Sequence, residues 1–111
     1  MDEQPYTVKY HELAFEDLKA LDKSVAKRVL QKIKEVAVNP VSIYEGGRGY
    51  PLGNKRGVNL HNLYKIKMRG LGIRVVYQLH ITETAMYIIV VGVRDKEEVY
   101  ETAYKRIRDE R

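Results

Sequence analysis

Residues 62–79 read NLYKIKMRGLGIRVVYQL, and this stretch restricts the fold more than any other part of the chain. Tyr64-Lys65-Ile66-Lys67-Met68 alternates polar with apolar, and Ile73-Arg74-Val75-Val76-Tyr77 is rich in β-branched and aromatic residues. Gly70 and Gly72 between them give the backbone freedom of a tight turn, so the spacing predicts a β-hairpin. Strand side chains alternate faces, which places Lys65 and Lys67 on one side and Tyr64, Ile66 and Met68 on the other. Arg74, on the partner strand, is close enough to join the lysines. Folding does not ask for three neighbouring cations; an anionic partner does.

Charge elsewhere sharpens the point. From Gly46 to Thr82 there is no Asp or Glu, while Arg48, Lys55, Arg56, Lys65, Lys67, Arg69 and Arg74 all fall there. The whole chain carries +5, so removing these seven charges leaves −2 for the rest. Such a one-sided distribution is the electrostatic footprint of a nucleic-acid or other polyanion site. There is no cysteine, so disulfides and thiolate chemistry are excluded. His11, His61 and His80 lack ligand spacing, and no metal or cofactor is expected. No apolar run approaches the roughly 20 residues of a membrane span, and the N-terminus lacks a secretory h-region. A cytoplasmic protein is expected, with no membrane partner.

The 111 residues suit one domain, 1–111. Tyr6–Tyr10 alternates as a short first strand. Ala14, Leu18 and Leu21, with Phe15 beside them, mark a first helix beginning at His11 or Glu12. Asp22 is placed to cap a second helix, in which Val25, Val29, Ile33 and Val36 line one face. Asn39-Pro40 ends it. Pro40–His61 is rich in glycine and is expected to be an irregular loop without the spacing of a phosphate-cradling motif. After the hairpin, Ala85–Val93 is apolar on both faces and reads as a central, covered strand. Asp95 is placed to cap a final helix, Lys96–Arg108, with Val99, Ala103 and Ile107 inward and Tyr100 and Tyr104 at the edge of that stripe. The expected class is α+β: an N-terminal strand and helical hairpin packed on a small, mostly antiparallel sheet, with a C-terminal helix.

No His, paired-carboxylate or Ser-His-Asp arrangement supports ordinary acid–base or nucleophilic catalysis. The candidates are cationic: Lys65, Lys67, Arg74 and Arg94, with Tyr100. Arginine and lysine bind phosphate oxygens and stabilise charge building on a phosphorane. A lysine crowded by cations loses some of its proton affinity and can then serve as a base. On these residues alone, a nucleic-acid binder and an enzyme are both open.

The segment LYKIKMRGLGIRVVYQL, followed by IIVVGVRDKEEVYETAYKRI, resembles the RelE branch of the RelE/ParE toxin superfamily. The similarity runs from Tyr6 to Ile107 and is strongest from Tyr64 to Tyr100. It implies a RelE-like fold and a toxin that cuts mRNA in the ribosomal A site, held inactive by a cognate, RelB-like antitoxin. The family's two active-site lysines map to Lys65 and Lys67, its strand arginine to Arg74, the arginine after the last strand to Arg94, and its helix tyrosine to Tyr100. Lys55, Arg56 and Arg69, with Lys27 and Arg28 on the second helix, are the residues expected to touch RNA or the ribosome. Two departures are Val93, where relatives can carry a basic residue, and the longer glycine-rich loop from Glu45 to Asn62.

The implied reaction is metal-independent: the RNA's 2′-hydroxyl attacks the adjacent phosphate, giving a 2′,3′-cyclic phosphate and a 5′-hydroxyl. One of Lys65 and Lys67 would assist deprotonation while the other binds the phosphorane with Arg74. Arg94 would neutralise or protonate the leaving 5′-oxygen, and Tyr100 would orient the nucleotide by stacking. The partners are the antitoxin, mRNA and ribosomal RNA; DNA, lacking the 2′-hydroxyl, is not a substrate. The rival readings are a ParE-like toxin that inhibits DNA gyrase without cutting RNA, and a module that binds RNA or ribosomes without cleaving.

Overall fold

The computed structural model describes residues 5–55, 58–93 and 98–109, and the side chains of 54–61 lie outside that description. In chain order the described elements are β1 (Thr7–Tyr10), α1 (Glu12–Lys19), α2 (Lys23–Ala37), β2 (Tyr50–Lys55), β3 (Val58–Met68), β4 (Ile73–His80), β5 (Ala85–Val93) and α3 (Glu98–Asp109). The strands form one sheet in the order β1-β5-β4-β3-β2, antiparallel except where β1 runs parallel to β5. The expected α+β architecture is what the chain adopts.

The sheet is covered on both faces. Ala14 and Leu18 of α1 and Val29, Ile33, Val36 and Ala37 of α2 pack with Ile66, Val75, Tyr77, Met86 and Ile88 on one side. Val99, Tyr100 and Ala103 of α3 pack with Leu63, Val76, Ile89 and Val90 on the other. This double cover explains why β5 is apolar on both faces. His11 caps α1, its Nδ1 accepting the Leu13 N–H at 3.0 Å. Asp22 occupies the N-cap position of α2 as expected, but its side chain makes no capping hydrogen bond. Asp95 and the first residues of the expected final helix lie outside the described residues.

One expectation fails. The stretch Pro40–His61 is not an irregular loop throughout, because β2 and the start of β3 lie within it. β2 is an edge strand with a register shift between Pro51 and Gly53, and Gly53 has φ +66°. Proline and a bulge are tolerated at an edge, where one side of the ladder needs no donor. Those residues erase the alternation by which a strand is recognised.

A second irregularity lies in the centre. Val76 pairs with Val90 but Tyr77 pairs with Ile88, so Ile89 is an extra residue in β5. Ile89 and Val90 consequently both face α3, and the alternation inverts: Met86 and Ile88 face α1 and α2, as does Val91 beyond the bulge. The inversion sets Gly92 opposite Arg74.

β1 accompanies β5 only as far as Tyr10↔Ile88. Beyond that point the open edge of β5 is closed by side chains. Asp17 Oδ2 accepts the Val91 N–H at 3.0 Å, and Arg106 Nη1 donates to the Ile89 carbonyl at 2.8 Å. The two side chains join each other through Nη1–Oδ2 at 2.8 Å and Nη2–Oδ1 at 3.2 Å, with only 20% and 15% of their surface exposed. A bidentate, largely buried pair that also satisfies strand groups leaves charge and backbone unpaired when either partner is removed. Asp17→Ala and Arg106→Ala are each expected to cost about 2–3 kcal/mol, and the double variant less than their sum. Urea unfolding curves check this; additive losses would show the two side chains acting independently.

Candidate nucleic-acid interface and active site

The β3–β4 hairpin places the cations. Its register sets Lys67 directly opposite Arg74 and Lys65 opposite Val76. The turn between the strands closes on Gly72, whose φ of +66° is the left-handed conformation that glycine adopts freely. Leu63 and Val76 face α3, so by alternation Lys65, Lys67 and Arg74 project to that same face. Beyond the cover of α3, the face opens to solvent: Lys67 is exposed, whereas Lys65 and Arg74 are half-buried.

The first turn of α3 completes the cluster. A Cβ at Gly92 would come within 2.9 Å of Val99 Cγ2, so glycine there lets the helix approach the sheet. This seats Tyr100 over the hairpin. Arg74 Nη1 donates to the Tyr100 hydroxyl at 3.1 Å, and the Lys65 ammonium lies 5.9 Å from the centre of the Tyr100 ring. Tyr100 is 3% exposed. The ring is covered by its neighbours, and its hydroxyl accepts from Arg74. Helical periodicity had set Tyr100 at the edge of the buried stripe; the close approach at Gly92 buries it.

Crowding has an electrostatic consequence. The Lys67 ammonium loses proton affinity chiefly through repulsion by Lys65, then through desolvation and repulsion by Arg74 and Arg69, partly opposed by Tyr100. Its folded pKa lies below the ordinary lysine value of 10.5. The charged form therefore disfavours the fold, and that repulsion is relieved as pH rises through the folded pKa.

The basic surface extends past the hairpin. A hollow of about 420 Å³ at the hairpin end is lined by Lys67, Arg69 and Arg74. A larger groove of about 760 Å³ joins Lys65, Lys67 and Arg69 to Lys32 of α2, to Arg48 and to Tyr50. The groove exists because β2 pairs with β3 only as far as Tyr50↔Lys65, leaving the last residues of β3 without a strand on that side. Its far wall, residues 40–49, is pinned from below. The buried Tyr77 hydroxyl donates to the Pro40 carbonyl at 2.7 Å, and a Cβ at Gly49 would collide with that hydroxyl.

Of the expected residues, the fold thus gathers Lys65, Lys67, Arg74, Tyr100 and Arg69. Arg94 and Arg56 lie outside the described residues, as does the side chain of Lys55. Lys27 and Arg28 are exposed on α2 but line neither hollow. Lys32, Arg48 and Tyr50 were not among the site residues expected from sequence. Arg48 belonged to the acid-free interval, but only the unrecognised β2 reveals that Arg48 and Tyr50 sit beside Lys65. Among the described residues, no group of three or more His, Asp or Glu could hold a metal ion. One measurement tests the coupling: Lys65→Ala should raise the Lys67 pKa toward 10.5, followed by NMR titration of the lysine side chains. An unchanged value would show that the two ammonium groups do not sense each other.

Comparison with known proteins agrees with this geometry. The family of ParE toxins of type II toxin–antitoxin systems matches residues 8–100. The mRNA interferase toxin RelE of Escherichia coli strain K12 is 32% identical over 102 residues, covering 92% of this chain and 97% of its own. The free-state structure of a mutant E. coli RelE toxin matches with a TM-score of 0.72 at 30% identity, covering 94% of this chain and 99% of that one. The intact E. coli RelBE toxin–antitoxin complex contributes a chain with a TM-score of 0.63 at 26% identity, covering 82% of this chain and 99% of that one. The protein belongs to the RelE/ParE toxin superfamily, as a RelE-like toxin.

Proposed function

We propose that this protein, as one RelE-like domain, is the toxin of a type II toxin–antitoxin pair and an endoribonuclease that cuts mRNA in the ribosomal A site. The observation that carries the reading is the convergence of Lys65, Lys67 and Arg74 on one sheet face, with the Tyr100 hydroxyl holding Arg74. Its likeness to an mRNA interferase over nearly its whole length supports the same chemistry.

The reaction needs a base for the 2′-hydroxyl, cations for the phosphorane and relief of charge on the leaving oxygen. Lys67, crowded below the ordinary lysine pKa and exposed, suits the base. It takes the 2′-proton as the 2′-oxygen bonds to phosphorus; the phosphorus–O5′ bond breaks, leaving a 2′,3′-cyclic phosphate and, once protonated, a 5′-hydroxyl. Lys65 and Arg74 hold the non-bridging oxygens. Arg94 is assigned to the leaving oxygen from its position in the family motif, and Lys55, Arg56 and Arg69 to the RNA or ribosome. No metal ion is assigned a role. The RelB-bound relatives make a RelB-like antitoxin the expected inhibitory partner. No described helix is long and apolar enough to cross a membrane, and the site of action is taken to be the cytoplasm.

The ParE description of the matching family favours one second reading, gyrase inhibition without cleavage; the assembled cation set favours the nuclease. Primer extension on an mRNA threaded through ribosomes with an empty A site separates them. Wild-type protein should cut at the A-site codon and scarcely at all on naked RNA. Lys67→Ala and Arg94→Ala should each slow single-turnover cleavage by about 10²-fold or more. The wild-type rate should climb with pH toward a pKa below 10.5. Absence of A-site cuts, together with inhibition of gyrase supercoiling, would move the protein to the ParE-like class.

A further inference from the structure

Three consecutive carbonyls hold the loop that forms the far wall of the groove. The Asn39 carbonyl accepts the Arg48 N–H at 2.9 Å, and the Val41 carbonyl accepts the Gly49 N–H at 2.9 Å. Between them, the Pro40 carbonyl accepts the Tyr77 hydroxyl at 2.7 Å. The loop also closes on itself, through the Ile43 N–H to the Gly49 carbonyl at 2.8 Å and the Gly47 N–H to the Ser42 carbonyl at 2.9 Å. A Cβ at Gly47 would strike the Val41 carbonyl, and one at Gly49 would strike the Tyr77 hydroxyl. A loop tied in this way takes its shape without a ligand. What it presents to the groove of Lys65 and Lys67 is Arg48, whose side chain is exposed. Tyr77 is a firm base for it: the residue is fully buried, and its ring stacks on Tyr64 with centroids 5.4 Å apart and planes at 16°. Burial raises the Tyr77 pKa above the ordinary tyrosine value, so the hydroxyl stays a donor. A phenylalanine ring would fill the same space in the core. The hydroxyl serves the loop that carries Arg48.

We propose that Arg48 contacts the mRNA phosphate next to the scissile one, and that Tyr77 is the positioning residue that holds Arg48 there from inside the core. The proposal rests on the ribonuclease reading above and extends it along the strand. Lys67 and Arg69 line both the hairpin hollow and the groove, so a strand whose scissile phosphate lies on the lysines runs from one into the other. A phosphate contact carries no sequence information, so Arg48 supplies affinity and register at every codon. Holding the arginine on a closed loop lessens the ordering that binding requires. Arg48 acts on neither the 2′-hydroxyl nor the leaving oxygen, and its loss is therefore felt in KM rather than kcat.

The experiment measures cleavage on programmed ribosomes by wild type, Arg48→Ala, Tyr77→Phe and the double variant, with circular dichroism confirming that each is folded. Arg48→Ala should raise KM roughly 10-fold or more, and Tyr77→Phe roughly 3- to 10-fold, with kcat little changed. In the Arg48→Ala background Tyr77→Phe should raise KM no further, because the tyrosine acts through the arginine. Gly49→Ala, which presses on the same hydroxyl from the loop side, should raise KM in the same way. Making either phosphate beside the scissile one a neutral methylphosphonate locates the contact: one of the two should weaken wild type and leave Arg48→Ala unaffected. A Tyr77→Phe effect that is absent, or that persists in full without Arg48, would overturn the positioning role. Wild type indifferent to both methylphosphonates, with Arg48→Ala still impaired, would move Arg48 to ribosomal RNA and overturn the mRNA contact. Arg48→Ala at wild-type KM would overturn the subsite and leave the nuclease intact. Wild-type protein that cuts no A-site codon would overturn the nuclease reading itself, and this proposal with it.

Discussion

The pair formed by Asp17 and Arg106 is the constraint on which the site depends. It lies across the open half of the β5 edge and joins α1, β5 and α3 at one point. Arg106 and Tyr100 are six residues apart on α3, about 9 Å along a helix rising 1.5 Å per residue. The helix is thus fixed at one end by the ion pair and at the other by Val99 against Gly92. Tyr100 lies between a charged anchor and an apolar one, and its hydroxyl in turn orients Arg74. The geometry of the cations on the hairpin rests in part on an interaction at the β5 edge.

That support is needed because the hairpin works against itself. Like charges opposite one another on a strand pair destabilise it, and Lys67 and Arg74 are such a pair. The apolar layers beneath offset the repulsion: Ile66, Ile73 and Val75 are buried against the helical hairpin, and Leu63 and Val76 against α3. A cluster of this kind, held by a core it does not strengthen, is what a preorganised anion site requires. The donors are already in place when charge develops, and the cost was met in folding.

Features carried by local pattern were legible in the sequence. Alternation in Tyr64–Met68 gave the facing of Lys65 and Lys67, and the doubly apolar run of β5 gave its central place. Features that depend on contacts distant in sequence were not. Asp17 and Arg106 look like ordinary surface charges on two helices until the fold brings them together from 89 residues apart. Tyr100 sits at the margin of its helix by periodicity, and only the missing side chain at Gly92 explains its burial. β2 was hidden by Pro51 and Gly53, and with it went the association of Arg48 and Tyr50 with the lysines. The groove is a property of where one strand stops, which composition does not record.

The extra residue at Ile89 couples two things that are usually separable. In a regular strand the residues that build a core and those that face a site follow one fixed alternation along the whole length. Here the phase is reset midway, so that Met86 and Ile88 before the bulge and Val91 beyond it all face the core beneath, and Gly92 falls on the side of Arg74 and α3. Without the bulge, the same residues in regular alternation would exchange inside for outside in the half that meets the site, turning Gly92 away from α3 and a branched side chain toward it in its place. The bulge in β5 is thus part of what positions the site, whereas the irregularity in β2, at the far edge, disturbs neither phase.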